Sequence, residues 1–261
     1  MRQIVLLKDI PDLSEIKVDS ETRAPRLEGV KRRISDLDKR ALEAAIRVKE
    51  AAGGEVVALS LGDEKTRTSM LEALAMGADS AYVVDDPAFR GLDANATSLV
   101  LAAALRKIGG FDLVLAGEMT LDSLGSQVGP RVAELLDLPQ LTYAKEVSVA
   151  EGWVRAVVDL EDVDEVAEAG LPALVTVVRE INEPRIPSLI NIMKAKKKPL
   201  VVWAAPDLGL DTGAVRAASH VKVLGVMAPK VERKQIRVEA DSVEEAAAKL
   251  AQLLVGEGVV R

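Results

Sequence analysis

An α/β fold with a doubly wound, mostly parallel sheet and an extended C-terminal arm is what this sequence predicts, on three observations. Strand-like and helix-like segments alternate from residue 3 to residue 136. The strand-like segments are continuous apolar runs, as strands buried on both faces require. Glycine follows the helical segments at Gly53, Gly77 and Gly109, where a helix stops at little steric cost.

The elements follow in order. Residues 3–7 are a short apolar strand, and residues 8–33 read as a polar loop. Leu37, Ala41, Ala45 and Val48 stand at helical spacing over residues 36–52, with Ser35 or Asp36 able to cap the start. Residues 56–61 are a second strand, 65–76 a helix, 81–84 a third strand and 94–107 a helix. Residues 113–116 are a fourth strand, and 126–136 a helix with Val128, Val132, Leu135 and Leu136 on one face. After Pro139 the pattern changes to two strands, 141–149 and 153–160, joined around Glu151-Gly152 as a hairpin. Residues 161–168 read as a polar excursion and 173–178 as a returning strand. The alternation is expected to end at Glu183, which gives an α/β domain over residues 1–183 and an arm over 184–261 with a late helix near 242–255. The arm has too little apolar content for a core of its own and is expected to lie on another subunit; the alternative is a tail packed on its own domain.

Composition narrows the function. The 261 residues carry 34 basic and 41 acidic side chains, a net charge of −7, which argues against a general nucleic-acid binder. There is no cysteine, so disulfides, thiolate metal sites and cysteine nucleophiles are excluded. The one histidine, His220, makes a histidine-based triad or multi-histidine metal site untenable. No apolar run is long enough to span a bilayer, so a cytoplasmic protein without stable membrane insertion is expected.

In a Rossmann-like sheet of this kind, ligands bind beyond the carboxyl ends of the strands. The relevant loops follow Leu7, Leu61, Val84 and Ala116. The strongest candidate is GEMTLDSLGSQVGP, from Gly117 to Pro130. Its glycines permit close backbone approach, and a helix N-terminus can hold a phosphate. Asp122, Ser123, Leu124, Gly125, Ser126, Gln127 and Val128 are its candidate ligand contacts; the plain alternative is a βα turn capped by Ser126. Neither a Walker A loop nor a GxGxxG fingerprint is present. Ser35, Asp36, Leu37 and Asp38 open the first helix, and could read an adenine or ribose edge or simply cap it. No catalytic acid–base pair stands out. A nucleotide site without such machinery points to a bound cofactor that carries the chemistry.

A different signal lies in EPRIPSLINIMKAKKKPL, residues 183–200. Pro184 and Pro187 deny regular structure, apolar Leu189, Ile190, Ile192 and Met193 follow, and then Lys194, Lys196, Lys197 and Lys198. Such a segment offers apolar anchors to a protein partner, with lysines steering acidic surfaces; the alternative is a solvated amphipathic helix.

These segments together resemble the β subunits of electron transfer flavoproteins over most of the chain. VLLKDIPD, SDLDKRALEAAIRVKE, LEALAMGADSAYVV, the Gly117–Pro130 loop with LPQLTYA, and above all EINEPRIPSLINIMKAKKKPL carry the resemblance. It implies an adenine-nucleotide-binding fold, an α-subunit partner and a redox FAD housed mainly in that partner. In this chain it implies a second adenine nucleotide, AMP or, in an electron-bifurcating branch reduced by NADH, FAD. Position by position, the nucleotide contacts fall on Leu6, Ser35 to Asp38, Leu61, and Gly117 through Val128. Residues 187–198 match the recognition loop, with Leu189 as its anchor for acyl-CoA dehydrogenases or another dehydrogenase, and with Ile190, Met193, Lys194, Lys196 and Lys197 beside it. The implied acceptor is a quinone reductase or a ferredoxin-type protein. The chain departs from the family pattern at Ser35-Asp36 (commonly Asn-Pro), at Asp122-Ser123-Leu124-Gly125 (often Asp-Gly-Asp-Thr) and at Ile190 (often Pro). The opening Lys8-Asp9-Ile10-Pro11-Asp12 is closer to relatives with a second flavin, which favours FAD over AMP. A stand-alone nucleotide-binding hydrolase or sensor is the alternative reading.

Overall fold

The computed structural model describes residues 1–230 and 233–260. The chain opens with β1 (Arg2–Leu6) and an excursion of four short strands, β2 (Asp9–Pro11), β3 (Lys17–Val18), β4 (Pro25–Arg26) and β5 (Arg32–Ile34). Then come α1 (Asp36–Ala52), β6 (Glu55–Leu61), α2 (Glu64–Met76), β7 (Ser80–Val84), α3 (Ala94–Ile108), β8 (Leu113–Gly117) and α4 (Val128–Leu135). The second half holds β9 (Gln140–Ala150), β10 (Trp153–Leu160), β11 (Val163–Gly170), β12 (Ala173–Val177), α5 (Leu189–Ala195), β13 (Leu200–Trp203), α6 (Thr212–Ala217) and α7 (Val243–Gly256).

A nine-stranded sheet in the order β11-β10-β9-β12-β8-β1-β6-β7-β13 forms the centre. From β9 to β13 neighbouring strands are parallel; β10 and β11 join antiparallel at one end. Alternate residues of β1 feed two apolar layers. Val5 packs with Leu42, Ala45, Met70 and Leu74 of α1 and α2. Ile4 and Leu6 pack with Val100, Leu105 and Val132 of α3 and α4. This is the double winding that the continuous apolar strands predict.

Four expectations need correction. Residues 8–33 are not all loop: β2 pairs with β5 and β3 with β4. Two- and three-residue strands leave no periodic signature; what holds this excursion is Asp9, whose buried carboxylate takes Ser69 Oγ at 2.5 Å and Arg32 Nε at 2.6 Å. Residues 161–168 are not an excursion, because β11 pairs along the whole of β10, from Leu160↔Val163 to Trp153↔Gly170. Asp164, Glu165 and Glu168 sit exposed on this edge strand, where charge deters further pairing. The helix expected from Ser126 begins at Val128, because Ser126 is left-handed (φ 49°). Finally, the alternation does not end at Glu183. β13 adds to β7 in parallel, Leu200↔Ala81 through Trp203↔Val84, and the Trp203 ring packs tilted against Tyr82 with centroids 4.7 Å apart.

Beyond α6 the chain is held where Asp93, the N-cap of α3, accepts the backbone N–H groups of His220 (2.7 Å) and Val221 (3.0 Å), and again where Ala228 N–H donates to Arg23 C=O at 2.8 Å. From there Val223, Leu224 and Met227 are exposed, and α7 has no buried residue. Among the described residues no helix is long and apolar enough to cross a membrane.

Candidate functional site

β1 lies between β6 and β8, and the chain runs out through β6 and β7 before it returns to β8. The strand order therefore reverses between β1 and β8, and a crevice opens beyond their carboxyl ends. Leu6 (buried) closes β1, Leu61 (half-buried) closes β6 and Gly117 closes β8.

Asp38, in the first turn of α1, joins the two central strand ends. Its Oδ2 accepts the backbone N–H of Lys8 at 2.8 Å and its Oδ1 that of Gly117 at 3.0 Å. The residue is only 4 % exposed, and burial pushes its carboxyl up to about 7, against the pull of both N–H groups and the Lys8 charge. Gly117 makes the approach possible: a Cβ there would stand 2.6 Å from Asp38 Oδ1 and 2.8 Å from Leu37 Cβ. Lys8 Nζ in turn pairs with Asp122 Oδ2 at 2.7 Å. Burial works to raise the Asp122 carboxyl, but the bonds from Lys8 and Thr120 outweigh it and hold it below the usual carboxylate range. Lys8, Asp38, Gly117 and Asp122, which are far apart in sequence, thus form one connected set.

Around this set the loop is folded on itself. Leu124 N–H donates to Thr120 C=O at 2.8 Å, and the Thr120 and Ser123 hydroxyls lie 3.0 Å apart. Ser126 Oγ donates to Glu118 Oε1, and Gln127 Oε1 accepts from Arg131, which also reaches Asn95 at 3.1 Å. Gly125 faces open space, its nearest potential neighbour being Ser123 Oγ at 4.0 Å, and Leu124 is exposed beside it with φ 48°. The first turn of α4 leaves the N–H groups of Val128 and Gly129 without intrahelical acceptors, and Gly129 brings that turn tight onto β12, a Cβ there falling 2.7 Å from Thr176 Cγ2. At the start of α1, Ser35 is fully buried and its hydroxyl has no partner; Leu37 is buried and Asp36 pairs outward with Arg33. Ser35 stands at the N-cap position but makes no side-chain capping bond.

The apolar-and-lysine segment lies elsewhere, beside α2. Ser188 caps α5, accepting Asn191 N–H at 3.2 Å, and only Ala195 of the helix is buried. Leu189 is 81 % exposed, and Ile190, Met193, Lys194, Lys196 and Lys197 are exposed as well. Lys198 differs: its Nζ donates to Leu74 C=O (2.9 Å) and Ala78 C=O (2.5 Å) at the end of α2. Residues that carry the arrangement but were not singled out above include Arg131 beside the loop and Glu43 under the segment that leads into α5. Glu43 and Glu50, spaced seven apart on one helix face, were the available signal for the last.

A family model described as the electron transfer flavoprotein domain matches residues 27–208. The chain belongs to this family. It is 39% identical over 235 residues to the electron transfer flavoprotein subunit beta of Thermoanaerobacterium thermosaccharolyticum, covering 89% of this chain and 90% of the relative. It is 37% identical over 256 residues to the caffeyl-CoA reductase-Etf complex subunit CarD of Acetobacterium woodii, covering 97% and 98%. Protein FixA of Sinorhizobium fredii is 35% identical over 264 residues, covering 98% of this chain and 92% of the relative. Its place among electron transfer flavoprotein β subunits implies FAD in the assembled complex and an α subunit as partner. The apolar side chains of Val223, Leu224, Met227, Val243 and Val259, left uncovered in the single chain, fit that implication.

Proposed function

We propose that this chain, as the β subunit of a heterodimeric electron transfer flavoprotein, holds an adenine nucleotide in the crevice between β1 and β8 and docks a dehydrogenase through α5. The observation that carries the first half is the Asp38 tie between the two strand ends. It sets the crevice beside a loop whose Gly125 opens outward and whose following helix offers free N–H groups to phosphate. The residues fit such a group. Ser35 supplies a buried hydroxyl without a partner at the α1 end, and the loop carboxylates Glu118 and Asp122 are already engaged by Ser126 and Lys8, which limits their repulsion of phosphate. That engagement also disfavours a hydrolase, which would need one of them as a free base.

FAD is preferred to AMP because of the Lys8–Asp12 opening and because the loop mouth at Leu124 and Gly125 is open and apolar. FAD supplies the redox chemistry when bound; this chain's residues bind and orient it. NADH or a dehydrogenase is the donor, and a quinone reductase or ferredoxin-type protein the acceptor, with electron bifurcation open to the assembled complex. The reductase complex named for one relative supports this reading.

The test is to strip nucleotide from the αβ complex and titrate FAD and AMP back separately. Saturable binding of FAD beyond the one the α subunit takes is expected for the wild type, and none beyond that one for Gly125→Asp. Equal binding by both would remove the loop from the site.

A further inference from the structure

We infer that Arg185, gripped by Glu43 and Glu50 of α1, is a positioning residue that holds the docking helix ready for its partner; the inference rests on the reading of α5 as the docking element. Arg185 meets Glu43 as a fork, Nε to Oε2 at 2.7 Å and Nη2 to Oε1 at 3.1 Å, and its backbone N–H donates to the same Oε2 at 3.2 Å. Its remaining donors reach Glu50 at 2.6 and 3.0 Å. Glu43 is 2 % exposed, and its Oε1 also accepts from Arg47 Nε at 2.8 Å. Three further contacts hold the preceding residues to the same helix: Asn182 Nδ2 donates to Arg40 C=O at 2.9 Å, Arg40 pairs with Glu183 at 3.1 Å, and Arg47 Nη2 donates to Glu183 C=O at 3.3 Å.

The far end of the segment is tied separately, by Lys198 on the carbonyls that end α2. Between these two anchors, residues 186–197 bury almost nothing: Ile186 is 93 % exposed and Met193 73 %, and Ala195 alone is buried. A seven-residue helix that buries only Ala195 has little of its own to hold it in place. Burying a carboxylate gives little net stability, since desolvation offsets the attraction. What the fork provides is geometry, because two parallel N–H···O bonds fix direction as well as distance. The exposed apolar anchors are therefore presented in one arrangement, and a partner that docks on them is spared the ordering cost.

The experiment uses the αβ complex with an acyl-CoA dehydrogenase that reduces it. Arg185→Ala is expected to raise the KM for the dehydrogenase about tenfold with kcat and bound nucleotide unchanged. It should also speed amide exchange within residues 189–195, and Arg185→Lys should recover only part of both. In a Leu189→Ala background, Arg185→Ala should add little, because the two losses share one cause. An unchanged KM in Arg185→Ala where Leu189→Ala raises it would overturn the inference, as would fully additive losses. If Leu189→Ala leaves KM unchanged, the docking reading itself fails, and the exchange of residues 189–195 decides whether Arg185 holds the helix.

Discussion

Asp38 and Gly117, 79 residues apart, are joined by a hydrogen bond of 3.0 Å from the glycine N–H to the buried carboxylate, whose other oxygen takes Lys8 N–H at the end of the neighbouring strand. One side chain of α1 thereby sets the spacing of the two strand ends that frame the crevice.

Replacing Asp38 tests this tie through pH. Its folded carboxyl sits at about 7, above the ordinary 3.8, because burial disfavours the charge. Between about pH 4 and pH 7 the folded state thus holds a proton that the unfolded state has lost, so this group's contribution to stability falls as pH rises and is constant above. The slope is bounded by about 1.4 kcal/mol per pH unit for one proton. Thermal midpoints from pH 4.5 to 8 should fall more steeply in the wild type than in Asp38→Asn, where the buried Asp9 carboxyl, also raised by burial, still contributes a decline. The same slope in both would show that Asp38 is not the titrating group.

Gly117→Ala is expected to destabilise the chain by roughly 1–3 kcal/mol, since its Cβ must displace Asp38 and Leu37. Gly125→Ala meets nothing closer than 4.0 Å and should unfold as the wild type does. Denaturant midpoints for the pair check both. Equal midpoints would mean that the first turn of α1 can retreat freely from β8.

Leu189→Ala should leave bound nucleotide and thermal stability unchanged, because the side chain is 81 % exposed. It should weaken partner docking by about 1–3 kcal/mol, the worth of one buried leucine anchor. Stopped-flow reduction by a dehydrogenase reads this directly, and a wild-type rate at low partner concentration would exclude Leu189 as the anchor.

Lys198 and Lys196 should part company. Lys198→Met strips two carbonyls at the end of α2 of their donor and should cost about 1–2 kcal/mol. Burial holds the Lys198 amine below its usual value, although the Asp79 charge opposes this. Lys196→Ala removes only an exposed charge and should leave unfolding unchanged. Calorimetry on both variants decides; identical unfolding temperatures would make Lys198 one more surface lysine.

Much of the scaffold was legible because burial on both faces writes itself as apolar runs: α1 falls on residues 36–52 as its spacing predicts, and β10 on 153–160. What escaped is held by partners distant in the chain. β2 and β5 depend on Asp9 meeting Ser69 and Arg32, and β13 is only four residues long and is recognisable by its place beside β7. The candidate loop was found from its glycines, but the roles within it were not. Gly117 makes room for the first turn of α1, Ser126 is bonded to Glu118, and the Lys8–Asp122 pair spans 114 residues. The segment around α5 was visible as an unburiable mix of apolar and charged residues. That one of its lysines is an internal cap depends on where α2 ends.

The central claim, that this β subunit holds its own adenine nucleotide, is tested most directly by acid release and quantification of FAD and AMP from the purified αβ complex. Two FAD per heterodimer is the predicted result. One FAD with one AMP would keep the site and reverse the choice of ligand. One FAD with no second adenine nucleotide would contradict the account of the crevice between β1 and β8.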